Sequence, residues 1–364
     1  MSEPLSSRHK TYFALNSRLA GYDNNQLIAL LGAEDKALHG WGTNHRIRLG
    51  GHRVFVKRVP VTDLELANPF STKNLFDLPT YYNYGVGSAG FGIYRELVAH
   101  IKTTNWVLSG EIETFPLMYH HRIVPRRAET DAIDEDRHAR YVEYWNGNEA
   151  IGQYMRDRHA AKHELLIFLE YFPYVVWDWL GKNQKAHAQI IADLSDTIRF
   201  LRSKGLIHFD VHFGNVITEG ERAYLTDFGL VLDRSFGLNP DEKTFYKQNL
   251  DYDYAEMVSG LGWAIYDLYG NLSAAKKRKL LAKYKLDDDL SSGAQLGVFI
   301  DNIERLHADG DLPLESGFVE SIVRYRPIIR LFREFVGGMQ QNPRKDTTFN
   351  RAKLRRLLKE TGLL

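Results

Sequence analysis

Between Leu206 and Leu230 the chain reads LIHFDVHFGNVITEGERAYLTDFGL, gathering His208, Asp210, His212, Asn215 and Asp227 in one short stretch. Two chemistries use such residues. His208, Asp210 and His212 alternate, so an extended chain would turn all three to one face, like the ligands of a metal hydrolase. Phosphoryl transfer from ATP is the other. It needs a divalent metal between the phosphates, a cation on the triphosphate and a carboxylate that positions the acceptor hydroxyl.

The spacing bears on the choice. Mg²⁺ takes hard oxygen ligands, one or two of them from protein. The apolar runs VIT and AYL flank EGER and read as a hairpin. A hairpin would return Asn215 and Asp227 to about one strand spacing, ~5 Å. Both oxygen donors could then share one metal, with Asp210 just upstream to hold an incoming hydroxyl. The metal-hydrolase reading leaves Asn215, the hairpin and Asp-Phe-Gly without a role.

The elements that must position these residues can be read from periodicity. Residues 24–36 read as a short amphipathic helix capped by Asn24 or Asn25. From Ala37 to Val61, sparse alternating apolar residues and the pairs Gly40/Gly42 and Gly50/Gly51 read as a strand meander with tight turns. Ile93, Leu97, Ile101 and Trp106 have helical spacing. FPLMYHHRIVP and HELLIFLEYF are strand candidates, and the charged stretch 126–163 between them reads as a solvated, partly helical insertion. Ile190, Leu194, Ile198 and Leu201 share one helix face, and Gly205 stands where a glycine would end that helix. Residues 253–270 and most of 296–364 also read as helices. A strand-rich half followed by a helix-rich half predicts an α+β fold in two lobes, residues 1–172 and 173–364.

Bulk properties narrow the function classes. The 364 residues are 44% hydrophobic and 26% charged, with formal net charge +1. That balance supplies no global field for nucleic acid or an anionic membrane. There is no cysteine. Disulfides, thiolate metal sites and a Cys nucleophile are therefore excluded. MSEPLSSRHK has no apolar core, so no secretory signal is expected. The most apolar run, LLIFLEYFPYVVWDWL, is broken by Glu170, Pro173 and Asp178, short of the ~20 residues a spanning helix needs. A cytoplasmic protein with neither nucleic-acid nor membrane partners is the expectation. The basic tail 342–362 reads as a terminal helix packed through Leu354, Leu357 and Leu358, with a solvated charged face.

The motifs resemble the protein-kinase-like superfamily. Its catalytic-loop pattern His-x-Asp-x-x-x-x-Asn matches His208, Asp210 and Asn215, and Asp-Phe-Gly matches Asp227 to Gly229. The run DVHFGN is more like the loop of aminoglycoside-phosphotransferase-like and other bacterial small-molecule kinases. The resemblance implies a bilobal kinase-like fold and an ATP- and Mg-dependent phosphotransferase acting on a hydroxyl. A small-molecule acceptor is slightly favoured over protein Ser/Thr. It implies Asp210 as the catalytic carboxylate and Asn215 and Asp227 as metal ligands. Lys57 of VFVK would grip the α- and β-phosphates, held by Glu96 of YRELVAH. Gly40 and Gly42 would cover the phosphates, and the adenine would lie at a hinge from Glu170 to Phe172.

The chain departs from a conventional protein kinase at several points. Phe209 replaces the Arg of His-Arg-Asp, so ordering of a loop by phosphorylation is not expected. His45 stands where the third glycine of the phosphate loop would be. No Ala-Pro-Glu follows Asp-Phe-Gly, which tells against the usual docking of a protein substrate. A nucleotide-binding scaffold without catalysis is the alternative, although none of Lys57, Asp210, Asn215 and Asp227 is missing.

Gly85, Gly87 and Gly90 form a Gly-x-Gly-x-x-Gly array before a helix, with Glu111 and Glu113 downstream like a ribose-binding acid. LPTYYNY is a poor buried strand, however, and no βαβ alternation follows. The array reads instead as a glycine loop capping the helix of Glu96, placed where it could fold over a substrate.

Overall fold

Gly50 and Gly51 both take positive φ, 58° and 84°. Two such residues make the turn whose twist matches antiparallel strands. They join Thr43–Leu49 to His52–Val61 in register, Leu49 opposite His52 and Asn44 opposite Lys57. The computed structural model describes residues 5–32, 36–37, 43–126, 132–286 and 290–364.

The protein is α+β: an antiparallel sheet in the N-terminal region precedes a mostly helical C-terminal region. The sheet strands are β1 (Lys36–Ala37), β2 (Thr43–Leu49), β3 (His52–Val61), β4 (Met118–Pro125) and β5 (His163–Glu170). They lie in the order β1-β2-β3-β5-β4. Val54 and Val56 of β3 are fully buried. They share a core with Leu15 and Leu19 of helix α1 (Leu5–Ala20) and Leu27 of α2 (Asn24–Ala29). Val59 and Val61 join Ile93, Tyr94 and Leu97 in a separate cluster. α3 (Asp63–Ala67) and a 3-10 turn, Thr80–Tyr84, lead to α4 (Ile93–Leu108).

Two expectations need correction here, and one helix went unread. The helix read over 24–36 ends at Ala29, Lys36 and Ala37 already belong to a strand, and the cap is Asp23. The Asp23 side chain accepts from the Gln26 amide and the Gln26 side chain accepts from the Asp23 amide, a reciprocal box. Second, α1 is a full helix that periodicity did not reveal. Its buried face is Arg8, Thr11, Leu15 and Leu19, so half the stripe is polar. Third, the insertion is partly helical as read but is not solvated throughout. It forms α5 (Glu135–Tyr144) and α6 (Glu149–Ala160) and buries Trp145, Ile151, Tyr154 and Arg158.

Several expectations hold. α8 (His187–Lys204), which follows the one-turn helix α7 (Val176–Trp179), ends where Gly205 adopts φ 88°, the left-handed conformation of a helix stop. α9 (Pro240–Gln248) begins with Pro240 inside a capping box. α10 (Tyr252–Gly270) is buried almost all round, as a central helix must be. It packs on the 26-residue helix Ser316–Gln341. Leu354, Leu357 and Leu358 are buried in the terminal helix Arg351–Glu360. No helix among the described residues is long and apolar enough to cross a membrane.

Candidate functional site

A cavity of about 740 Å³ is lined on one side by Phe55, Lys57 and Val59, alternate residues of β3. Period-two alternation places Lys57 on the cavity side while Val54 and Val56 face the core. Glu96 sits in the first turn of α4. The Nζ of Lys57 donates to Oε1 of Glu96 at 2.6 Å and to Oδ1 of Asp227 at 2.8 Å. Burial disfavours the ammonium, but the two carboxylates outweigh it and hold Lys57 above its ordinary value. Burial likewise opposes charge on Asp227 and Glu96. Lys57 prevails, drawing Asp227 down to about 2 and lowering Glu96. Three sequence-distant charges thus form one ionised cluster.

The loop carrying Asp210 is built from the backbone outward. Phe209 and Asp227 both take φ 64°. Left-handed geometry costs a non-glycine residue roughly 1–2 kcal/mol, so surrounding contacts must impose it. Asp253 of α10 accepts from the amides of His208 (2.8 Å) and Phe209 (2.9 Å), and Glu256 accepts from Val211 (2.6 Å). The Phe209 ring is buried against Tyr84, Phe245 and Tyr252. His208 accepts at Nδ1 from the Asp210 amide (3.2 Å), and its Nε2 faces the Thr226 carbonyl at 3.1 Å. These contacts require a neutral ring with the proton on Nε2. Burial does drive the His208 pKa down to about 4. Because both ring nitrogens are committed to backbone, the alternating His–Asp–His metal cluster does not form.

The hairpin forms as read. Val216–Thr218 pairs with Ala223–Leu225, Val216 opposite Leu225. Asn215 accepts the Thr226 amide on its carbonyl (3.0 Å), tying the loop of Asp210 to the residue before Asp227. The side-chain Nδ2 of Asn215 donates to Oδ2 of Asp210 at 2.8 Å and to its carbonyl at 3.0 Å. That orientation leaves the amide oxygen of Asn215 as the atom available to a cation. Burial pushes Asp210 up. His212 accepts the Gly214 amide at Nδ1 (3.0 Å) and sets Nε2 3.6 Å from Asp210, so it shapes the turn while also facing the carboxylate.

The remaining sequence-derived candidates fare differently. Gly40 and Gly42 lie outside the described residues. Glu170 and Phe172 line the cavity. The Glu170 carboxylate is engaged by Nε and Nη2 of Arg8, at 3.0 and 2.7 Å, and by the Leu117 amide at 3.0 Å. Its side chain is therefore a structural anchor for α1. The Phe172 ring lies 4.1 Å from that of Tyr224. The dinucleotide array is not built: a 3-10 turn rather than a strand precedes it, and Glu111 and Glu113 pair with Lys204 and Arg222.

The glycine segment folds over the site instead. A Cβ on Gly85 would lie 2.8 Å from Oδ1 of Asp210, and one on Gly90 would lie 3.1 Å from the Gly229 carbonyl. Tyr141 and Tyr144 of α5 donate to the carbonyls of Gly87 and Val86, each at 2.9 Å. Sequence reading missed these tyrosines, as it missed Asp253 and Glu256. The only signal for the two acids was their i, i+3 spacing at the start of a helix.

Comparison with known proteins gives no assignment: no protein-family model and no curated protein matches the chain.

Proposed function

We propose that the protein has a bilobal, protein-kinase-like fold and is an ATP- and Mg-dependent phosphotransferase with a hydroxyl acceptor. The observation that carries this is the convergence of Lys57, Glu96 and Asp227 beside the Asp210–Asn215 pair. Each member serves one requirement of phosphoryl transfer.

Asn215 and Asp227 offer hard oxygens: the Asn215 amide oxygen, and the ionised, one-third-exposed carboxylate of Asp227. They would hold the divalent cation, which neutralises phosphate charge when bound. Lys57, kept charged, binds phosphate oxygens of the nucleotide, and Glu96 keeps its ammonium in place. Asp210, oriented by Asn215, accepts a hydrogen bond from the acceptor hydroxyl. The acceptor oxygen forms its bond to the γ-phosphorus as the bond to the bridging oxygen breaks. The proton passes to Asp210, and ADP leaves.

A small-molecule acceptor is favoured by what borders Asp210. A second cavity, about 400 Å³, adjoins Gly85 and His212 and is walled by Tyr144, Trp177, Trp263 and Phe332. Such aromatic walls suit a compact ligand more than an extended peptide. The test is incubation with γ-labelled ATP and cell extract. Label in small metabolites supports this reading, and label in protein identifies a protein kinase. ATP binding without transfer to either would leave the non-catalytic scaffold.

A further inference from the structure

The glycine segment 85–92 and the insertion supply no reacting group to that chemistry, yet Arg158 of the insertion lines the same cavity as the glycine segment. This residue, in the last turn of α6, is 7% exposed and lines the large cavity. Its Nη1 donates to Oη of Tyr154 at 3.0 Å. No carboxylate among the described residues lies within 4.0 Å of its guanidinium. Glu65 acts on it from farther away. Both Glu65 oxygens are committed elsewhere, Oε1 to the Ile93 amide and Oε2 to Thr62. A buried guanidinium lacking a carboxylate partner is costly unless an anion visits it.

Arg158 shares its cavity wall with Ser88, Gly90 and Gly92. The backbone there alternates. The amides of Gly87, Ala89, Phe91 and Ile93 bond to Gly85, Tyr82, Gly229 and Glu65. Those of Ser88, Gly90 and Gly92 have no such partner among the described residues. Gly90 and Gly92 take φ 106° and 104°, conformations that glycine adopts readily, and a Cβ there would meet the Gly229 carbonyl and Oε1 of Glu65. The segment is fixed by Tyr141, Tyr144 and the Ser88 hydroxyl, and it opens the 16-residue helix α4. Alternate unbonded amides at the start of a helix and a buried arginine together favour an oxyanion.

We propose that Arg158 and the amides of Ser88, Gly90 and Gly92 bind a phosphate-type oxyanion beside Asp210 and Asp227. Its role rests on the phosphotransferase reading: the oxyanion is the terminal phosphate of the nucleotide or an anionic group on the acceptor. Gly85 abuts Asp210 and Gly90 abuts Gly229, so the same segment spans the catalytic carboxylate and this site.

The test is calorimetric titration of wild type and Arg158→Met with inorganic phosphate, Mg·ADP and the Mg complex of an ATP analogue with a β,γ-imido bridge. Phosphate affinity falls about tenfold or more in the variant, the scale of one charged hydrogen-bonding group, and Mg·ADP binds both proteins equally. A matching loss for the analogue assigns the oxyanion to the nucleotide. An unchanged analogue affinity, with phosphate binding alongside it, assigns it to the acceptor. Equal phosphate binding by both proteins, or none by wild type, overturns the site. Phosphate binding that needs Arg158 in a protein that binds no nucleotide keeps the site and rejects the kinase reading. Should Arg158→Met not fold, Arg158→Lys serves: it keeps the charge, loses the planar fork, and is expected to show the same direction of loss.

Discussion

The Nζ of Lys57 lies 2.8 Å from Oδ1 of Asp227, joining residues 170 positions apart across the cavity. With Glu96 on its other side, Lys57 is the hub of the charged cluster. Lys57→Met leaves two carboxylates facing one another. ATP affinity is expected to fall about tenfold or more, measured by titration with Mg·ATP.

The same pair sets an acid dependence. Asp227 has its folded pKa drawn to about 2, below the ordinary 3.8. The folded state therefore binds fewer protons there than the unfolded chain between these values. The pairing stabilises fully above about pH 4 and is lost as pH falls through 2. Thermal midpoints of wild type and Lys57→Met should differ at pH 7, and the gap should narrow from pH 4 towards 2. A constant gap would show that Asp227 is not the partner that matters.

Asp253 carries the opposite sign. Burial raises it to about 6, against the lowering by the amides of His208 and Phe209. The folded state then holds an extra proton between 3.8 and 6, so this group's contribution to stability declines as pH rises through that window. Asp253→Asn removes the slope. It also sets an amide NH₂ against backbone donors, an expected cost of about 1–3 kcal/mol by chemical denaturation at neutral pH.

Gly85 approaches Asp210 as only a residue without Cβ can. Gly85→Ala meets both a left-handed φ of 67° and a contact at 2.8 Å with the Asp210 carboxylate. The expected result is a kcat loss of about tenfold or more with little change in KM for ATP, the pattern of a misplaced reacting group. Equal losses in binding of ATP would instead indicate a general collapse of the cavity.

Arg95 of α4 and Glu242 of α9 form an ion pair at 2.5 Å, both almost fully buried. Removing one partner strands the other. Arg95→Met is expected to cost about 3–5 kcal/mol in denaturant unfolding, whereas the double replacement Arg95→Met, Glu242→Gln should recover part of it.

What was legible in the sequence follows from the range of each interaction. His208, Asp210, Asn215 and Asp227 could be read together because one hairpin, encoded by adjacent apolar runs and a polar turn, joins them. Lys57 and Glu96 could be placed only by pattern, since their meeting depends on packing α4 against β3. α1 escaped because its buried face includes Arg8, and an arginine turns inward only when Glu170, 162 residues away, is there to receive it. Asp253 and Glu256 escaped for a similar reason. Acids at a helix start read as exposed until the amides of residues 208–211 are seen above them. The insertion looked solvated by composition, yet two tyrosine hydroxyls and Trp145 make it the support of the glycine segment.

The most direct measurement is the Mg-dependent rate of label transfer from γ-labelled ATP, with acceptors supplied from extract, in wild type and Asp210→Ala of confirmed folding and ATP affinity. Loss of about 10²-fold or more in the variant is expected, the scale of a positioned proton acceptor. Equal rates in the two proteins would contradict the role of Asp210, and no transfer by wild type would contradict the phosphotransferase itself.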